Sequence, residues 1–226
     1  MLNNRNILLV MLCCVTTTGL ESKNPFRRGL IKKVPTWNKQ NQEIVHELWH
    51  NVHEVEAGKL YRTHQLDAST LAHFMKKYGI KTVINLRGQQ PGVKWWQQEQ
   101  AAVLAHGAQY FNLPMSAMAM TPKWILQKML HIFDTAPQPI MIHCQGGADR
   151  TGEAAAIWRL EKMHGTKKQA LADLSWRYGH IACPNKDKLI QMWGGRDWLE
   201  NDYHVGEDST LVELVVNEEP EAVPVA

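Results

Sequence analysis

The most constraining stretch of this chain is His143-Cys144-Gln145-Gly146-Gly147-Ala148-Asp149-Arg150-Thr151-Gly152. An apolar run, Pro139-Ile140-Met141-Ile142, precedes it, and Glu153-Ala-Ala-Ala-Ile-Trp-Arg-Leu160 follows. That pattern predicts a short buried strand, a loop with two glycines and the start of a helix. A loop that enters a helix turns its free backbone N–H groups into one space, and the helix dipole adds partial positive charge there, so the site suits an anion. The same field favours the thiolate of a cysteine at the loop mouth. Arg150, six residues after Cys144, can fold back and fork two N–H donors onto phosphate oxygens. A nucleophile, an anion cradle and a bidentate clamp point to phosphoryl transfer through a phosphocysteine. An ordinary buried cysteine in a glycine turn would leave Arg150 and both glycines without a reason.

The rest of the chain reads as strands alternating with helices. Val52–Tyr61, around Gly58, suggests two short strands about a turn. Asp67 caps a helix over 68–78 that Gly79 ends. Strands follow at 80–86 and 109–113, and helices at 93–105 and from Thr121-Pro122 to about Thr135. After the loop, helices are expected at about 166–178 and 185–199. The fold class is therefore α/β: a central parallel-rich sheet flanked by helices, with the phosphate-binding loop between a strand and a helix. Ligand sites in such sheets lie at the strands' C-terminal ends. Cys144, Arg87 and Met115-Ser116 all fall there, so they can meet in one cleft.

Four segments are expected. Residues 1–20 read as an export signal: Arg5, then the apolar Ile7–Val15, then small residues Thr16–Gly19. Nine apolar residues are too few to span a bilayer, so no stable membrane span is expected, and the chain would be exported, periplasmic or secreted. A disordered or buried apolar N-terminus is the other reading. Residues 21–50 read as a polar, basic lead-in, 51–200 as the catalytic domain and 201–226 as an acidic tail. A net charge of +3 argues for no nucleic-acid partner. With the signal removed only Cys144 and Cys183 remain, which makes a disulfide framework unlikely and leaves Cys183 as a simple buried thiol or one half of a reversible redox pair.

The loop H-C-x5-R-T-G resembles the signature of the cysteine-dependent protein tyrosine and dual-specificity phosphatases, with Gly147 also in place. Gly58-Lys-Leu-Tyr-Arg62 and Gly79–Gly88 extend the resemblance toward the bacterial dual-specificity branch, over roughly 51–182. It implies a tyrosine phosphatase-like fold, no metal or organic cofactor, and a phosphorylated protein or small phosphoester as substrate. It also implies roles. Cys144 is the nucleophile, Arg150 holds phosphate and the transition state, and Thr151 supports the leaving thiolate. The backbone of Gln145, Gly146, Gly147, Ala148, Asp149 and Arg150 lines the cradle, and His143 supports it from behind, a role compatible with a satisfied core histidine. Such enzymes usually carry an acid aspartate on an upstream loop; Leu113–Thr121 has no carboxylate here, and Asp134 is expected on the wrong side. Relatives with Gly-x-Asp-Arg loops are thought to use that aspartate, so Asp149 is either the acid or a helix cap. Arg87 could bind substrate phosphate, buttress the loop or make a surface ion pair; Arg62 is similar. Uncharged Gln145 and Ala148 suggest a single phosphate, phosphotyrosine-like, ahead of a phosphoinositide or inositol phosphate.

Two rivals stand. His46-Glu47-Leu48-Trp49-His50 matches H-E-x-x-H, a zinc-hydrolase pattern that His53 could continue, but it runs at once into an expected strand and leaves little helix to hold a metal. A pseudophosphatase that binds phosphate without turnover is the other.

Overall fold

A parallel sheet buried on both faces needs apolar side chains on both, and Leu60-Tyr61, Val83-Ile84 and Ile140-Met141-Ile142 supply them. The computed structural model describes residues 39–181 and 183–207, and a compact unit begins at Ile44. In chain order the elements are α1 (Lys39–Trp49), β1 (His53–Glu56), β2 (Leu60–Thr63), α2 (Ala68–Tyr78), β3 (Thr82–Asn85) and α3 (Lys94–Ala105). Next come β4 (Gln109–Asn112), α4 (Lys123–Thr135), β5 (Ile140–His143) and α5 (Asp149–Glu161). The last are α6 (Lys167–Leu171), a 3₁₀ turn (Trp176–Tyr178), α7 (Pro184–Met192) and α8 (Arg196–Asn201).

The sheet order is β1-β2-β5-β3-β4, with only β1 antiparallel to its neighbour. Alternate strand residues face opposite sides. Leu60, Ile84, Ile140 and Ile142 pack with Leu126 and Phe133 of α4, Trp158 of α5 and Leu189 of α7. Tyr61, Val83, Tyr110 and Met141 pack with Leu71 and Phe74 of α2 and Val103 of α3. The four parallel strands end in register: Thr63, His143, Asn85 and Asn112 stand side by side. β5 is the middle strand, so Cys144 leaves the centre of the sheet's C-terminal edge.

The α/β architecture follows the sequence expectation. Asp67 caps α2 through Ser69 and Thr70 backbone N–H groups, and Gly79 ends it in the left-handed region; loss of such a cap costs about 1 kcal/mol. Three expectations change. The helix expected at 166–178 is α6 plus the separate 3₁₀ turn, because between them Asp173 turns inward to Arg159 at 2.6 Å and presents its carbonyl to Arg62. The helix expected at 185–199 is two, broken at Gly194-Gly195, where Gly195 takes φ 90°. The lead-in ends in α1, so the H-E-x-x-H stretch lies on the last turn of a helix after all. The export signal and the tail beyond 207 lie outside the described residues. Among the described residues no helix is long and apolar enough to cross a membrane.

Candidate active site

Cys144 follows β5 directly and is almost fully buried. The loop after it is fixed from outside through its carbonyls. Gln145 carbonyl accepts from Gln65 N–H at 3.1 Å, and Gly146 carbonyl from Asn51 Nδ2 at 3.2 Å. Gly147 carbonyl accepts from Arg62 Nη2 at 2.8 Å, and Ala148 carbonyl from Gly152 N–H at 2.8 Å within α5. With the carbonyls held outward, the amide N–H groups of Gln145 through Arg150 donate to no acceptor among the described residues. A backbone turned this way is an anion nest at a helix N-terminus. Gly147 is required for it: φ is 70°, and a Cβ would stand 2.8 Å from His64 N and Thr63 O. Gly152 lets α5 approach closely, since a Cβ there would meet Leu174 Cδ2 at 2.7 Å.

Arg62 is the main brace. Its side chain is fully buried, reaches Asp173 carbonyl at 2.9 Å and stacks on Tyr178, 3.9 Å from the ring centroid. The sequence left it as a substrate or buttress candidate; it is the buttress, because it faces the outer side of the loop. Asn51, φ 51°, also reaches Tyr178 carbonyl at 3.1 Å, tying the loop to the 3₁₀ turn.

Arg150, in the first turn of α5, has Nη1 3.4 Å from Met115 carbonyl, and its buried Nε has no partner. No carboxylate pairs with it among the described residues, so its donors are open to an anion. Thr151 is buried, and its hydroxyl has no hydrogen-bond partner among the described residues. Met115 and Arg87 do reach the same cleft. Arg87 stacks on Trp95 at 3.9 Å and donates to Gln65 Oε1 at 3.2 Å. It makes no ion pair among the described residues, which removes the surface ion-pair reading. Burial and then the Arg150 charge pull its guanidinium below the ordinary value, while Glu99 and Cys144 pull upward; through Gln65, whose N–H holds the Gln145 carbonyl, it is tied to the cradle. Asn85 fixes this strand end: its Oδ1 accepts from Arg87 N–H at 2.9 Å and its Nδ2 donates to Gly88 carbonyl at 3.0 Å.

His143 is held by a buried carboxylate that the sequence reading missed. Its Nε2 lies 2.9 Å from Glu99 Oε1, which also accepts from Tyr110 hydroxyl at 2.6 Å, while Gln65 Nε2 contacts the other oxygen. Burial pushes Glu99 up, but His143, Tyr110 and Gln65 outweigh it and hold the carboxyl below its usual range. The signal was present: Trp96, Glu99 and Val103 form the buried stripe of α3, and a glutamate on an apolar stripe needs a partner.

Asp149 is the first residue of α5, one place after the N-cap Ala148, and among the described residues its carboxylate makes no hydrogen bond to a backbone N–H. Its Oδ1 lies 2.7 Å from His180 Nδ1 instead. Asp134 is remote, as expected, bound to Arg196 at 2.7 Å and Lys162 at 2.9 Å. Cys183 is buried with a free thiol, its Sγ 3.5 Å from Met118 Sδ. The zinc reading loses its base: Glu47 accepts from Lys77 at 2.9 Å and from Tyr78. His53 turns to Asn51 Oδ1 at 2.9 Å rather than continuing the histidine face. Among the described residues no three His, Cys, Asp or Glu come together to hold a metal ion.

A buried cysteine in an amide nest, at the C-terminal edge of a parallel sheet and beside an unpaired arginine, defines a cysteine-dependent phosphatase site. The family described as "DSP-PTPase phosphatase fused to NAD+ Kinase" matches residues 31–189, and the chain belongs to it. Among solved structures, the core catalytic domain of the PP-IP phosphatase SIW14 from S. cerevisiae is 21% identical, with a TM-score of 0.56. That match covers 65% of this chain and 87% of that one. Tk-PTP in its active form is 13% identical, TM-score 0.50, covering 69% and 99%. These likenesses are of fold. Among curated proteins, none matches the chain.

Proposed function

We propose that the chain hydrolyses phosphomonoesters through a phosphocysteine on Cys144. The carrying observation is the loop itself: carbonyls from Gln145 to Ala148 held from outside, and N–H groups left for an anion around the sulfur. In the first step the Cys144 thiolate attacks phosphorus, the ester P–O bond breaks, and Asp149 protonates the leaving oxygen. Arg150 and the amides hold the three equatorial oxygens as charge develops. Water, deprotonated by the same Asp149, then breaks the S–P bond, and the Thr151 hydroxyl supports the departing thiolate. Uncharged Gln145 and Ala148 favour a single phosphate on an aryl group such as phosphotyrosine. A second reading, a small molecule with a further anionic group such as an inositol phosphate, is favoured by Arg87, which offers an unpaired guanidinium beside the cradle.

The test is hydrolysis of an aryl phosphate, with a panel of phosphopeptides, phosphoinositides and inositol phosphates. Activity should survive EDTA and vanish with vanadate, a thiol alkylator or Cys144→Ser; loss to EDTA with survival of alkylation would overturn the proposal. Phosphate binding without turnover would favour a pseudophosphatase instead. Export belongs to the proposal too, on the strength of residues 1–20; a mature chain in the cytoplasm with Met1–Gly19 intact would refute it.

A further inference from the structure

An aspartate at a helix N-terminus is poorly suited to be an acid. The dipole and the free amides favour its ionised form, whereas protonating a leaving oxygen requires it to carry a proton. Asp149 stands in the first turn of α5, yet among the described residues its carboxylate meets a side chain rather than those amides. It meets His180 Nδ1 at 2.7 Å, and the other ring nitrogen, Nε2, lies 2.9 Å from Asp187 Oδ2 in the first turn of α7. His180 is 8% exposed, so its ring is largely screened from water. Its backbone is fixed as well. Gly179, φ 88°, closes the 3₁₀ turn, His180 N–H donates to Ser175 carbonyl at 3.2 Å, and a Cβ on Gly179 would touch Ala148 Cβ at 3.7 Å. The segment that carries His180 therefore rests on the phosphate loop itself.

We propose that His180, clamped between Asp149 and Asp187, is the positioning residue of proton transfer: it fixes the Asp149 carboxyl and shares the proton which that carboxyl delivers. The inference rests on the phosphocysteine reading of Cys144. Its chemistry follows from the donor inventory. A neutral imidazole has one N–H and one bare nitrogen that can only accept. With a carboxyl on each nitrogen, a neutral His180 requires one carboxyl to be protonated; a charged His180 allows both to be ionised. Both forms hold the same protons at a net charge of minus one, so a proton can pass along Asp149, His180 and Asp187 without changing the charge of the group. When the ester P–O bond breaks, its electron pair stays on the leaving oxygen and the proton passes to it from Asp149. The unit is then one proton poorer, with a bare nitrogen facing a carboxylate, an arrangement that draws a proton back. The attacking water supplies it through Asp149, its oxygen bonds phosphorus, and the S–P electron pair returns to Cys144. The other ionisable groups at hand are the Cys183 thiol, which is pushed up first by burial and then by Asp149, and Lys186, which is held by Glu153 at 2.7 Å.

The experiment compares His180→Gln and Asp187→Asn with wild type on two aryl phosphates, one with an activated and one with a poor leaving group, over a pH series. A glutamine can still hydrogen-bond Asp149 but cannot carry a proton. With the poor leaving group, kcat/KM should fall about 100-fold in H180Q, and the alkaline limb of its pH profile should move to lower pH. The activated substrate should lose less than about 3-fold, because it needs little protonation, and vanadate affinity should stay at the wild-type value. Asp149→Asn should show the same split, and the D149N/H180Q double variant should lose no more than D149N alone. Equal losses on both substrates, or no loss on either, would overturn the role of His180. Should H180Q fail to fold, D187N, whose side chain is one-third exposed, carries the same comparison. A wild-type enzyme inert to alkylation would instead sink the Cys144 reading, so the two failures are separable.

Discussion

Replacing Arg62 by Met should uncouple stability from anion binding. The substitution keeps an unbranched apolar stem of similar reach and removes the guanidinium. The Gly147 and Asp173 carbonyls would lose their partner, while Ala148 carbonyl keeps Gly152 N–H and the Asp173 carboxylate keeps Arg159. Two buried acceptors left unpaired cost about 2–6 kcal/mol together, at about 1–3 each. Against that stands the charge. Burial pulls the Arg62 guanidinium down to about 10 in spite of Asp173, so holding it charged in place costs about 3 kcal/mol. Methionine removes that penalty, as replacement of a buried charge by an apolar group often does. The two effects nearly cancel, and the net loss should be at most about 3 kcal/mol in urea unfolding at pH 7. Vanadate inhibition should nonetheless weaken about 10-fold or more, because the Gly147 peptide is no longer held in orientation. A variant that binds vanadate like wild type would refute the view that Arg62 sets the orientation of the loop.

Three further outcomes are expected. Gly147→Ala should lose more than about 90% of activity and about 2 kcal/mol or more of stability, since its Cβ would stand 2.8 Å from two backbone atoms at φ 70°; wild-type kinetics would contradict this. Glu99→Gln should lower kcat/KM about 10-fold on good and poor leaving groups alike, and slow iodoacetate alkylation of Cys144 at neutral pH, because His143 loses its carboxylate. His53 is pulled down to about 4 by burial, then by the Arg62 and Arg177 charges, from an unfolded value of about 6.5. Its neutral form is the folded one, so its contribution is complete above about pH 6.5 and is lost as pH falls toward about 4. The urea midpoint of wild type should therefore fall more between pH 7 and pH 5 than that of His53→Gln, and equal falls would contradict the assignment.

The catalytic loop was legible because ten consecutive residues carry their own logic: an apolar strand, glycines where amides must converge, and a helix behind. The alternation of β2 to α5 was legible for the same local reason, since each element shows its period within a dozen residues. What escaped was built across the chain. The partners of Asp149 and Gly147 lie 31 and 85 residues away, and no periodicity encodes such pairings. Arg62 stood among the candidates for binding substrate or buttressing the loop, and only the folded sheet shows its strand end facing the back of the loop. Helix α1 was missed because its sequence, rich in Gln, is polar on average and carries few apolar residues to announce it. The break at Gly194-Gly195 was written in the sequence and read through, because the apolar residues on either side kept helical spacing.

The outward anchoring of the Gln145–Ala148 carbonyls also has a kinetic consequence. A peptide plane in this loop cannot rotate without releasing a hydrogen bond to Gln65, Asn51, Arg62 or Gly152. These anchors hold the loop in the shape that a bound oxyanion requires, so no reorientation separates encounter from capture. Phosphate or vanadate should associate in a single kinetic phase whose rate rises linearly with ligand concentration, with no plateau from a slow rearrangement.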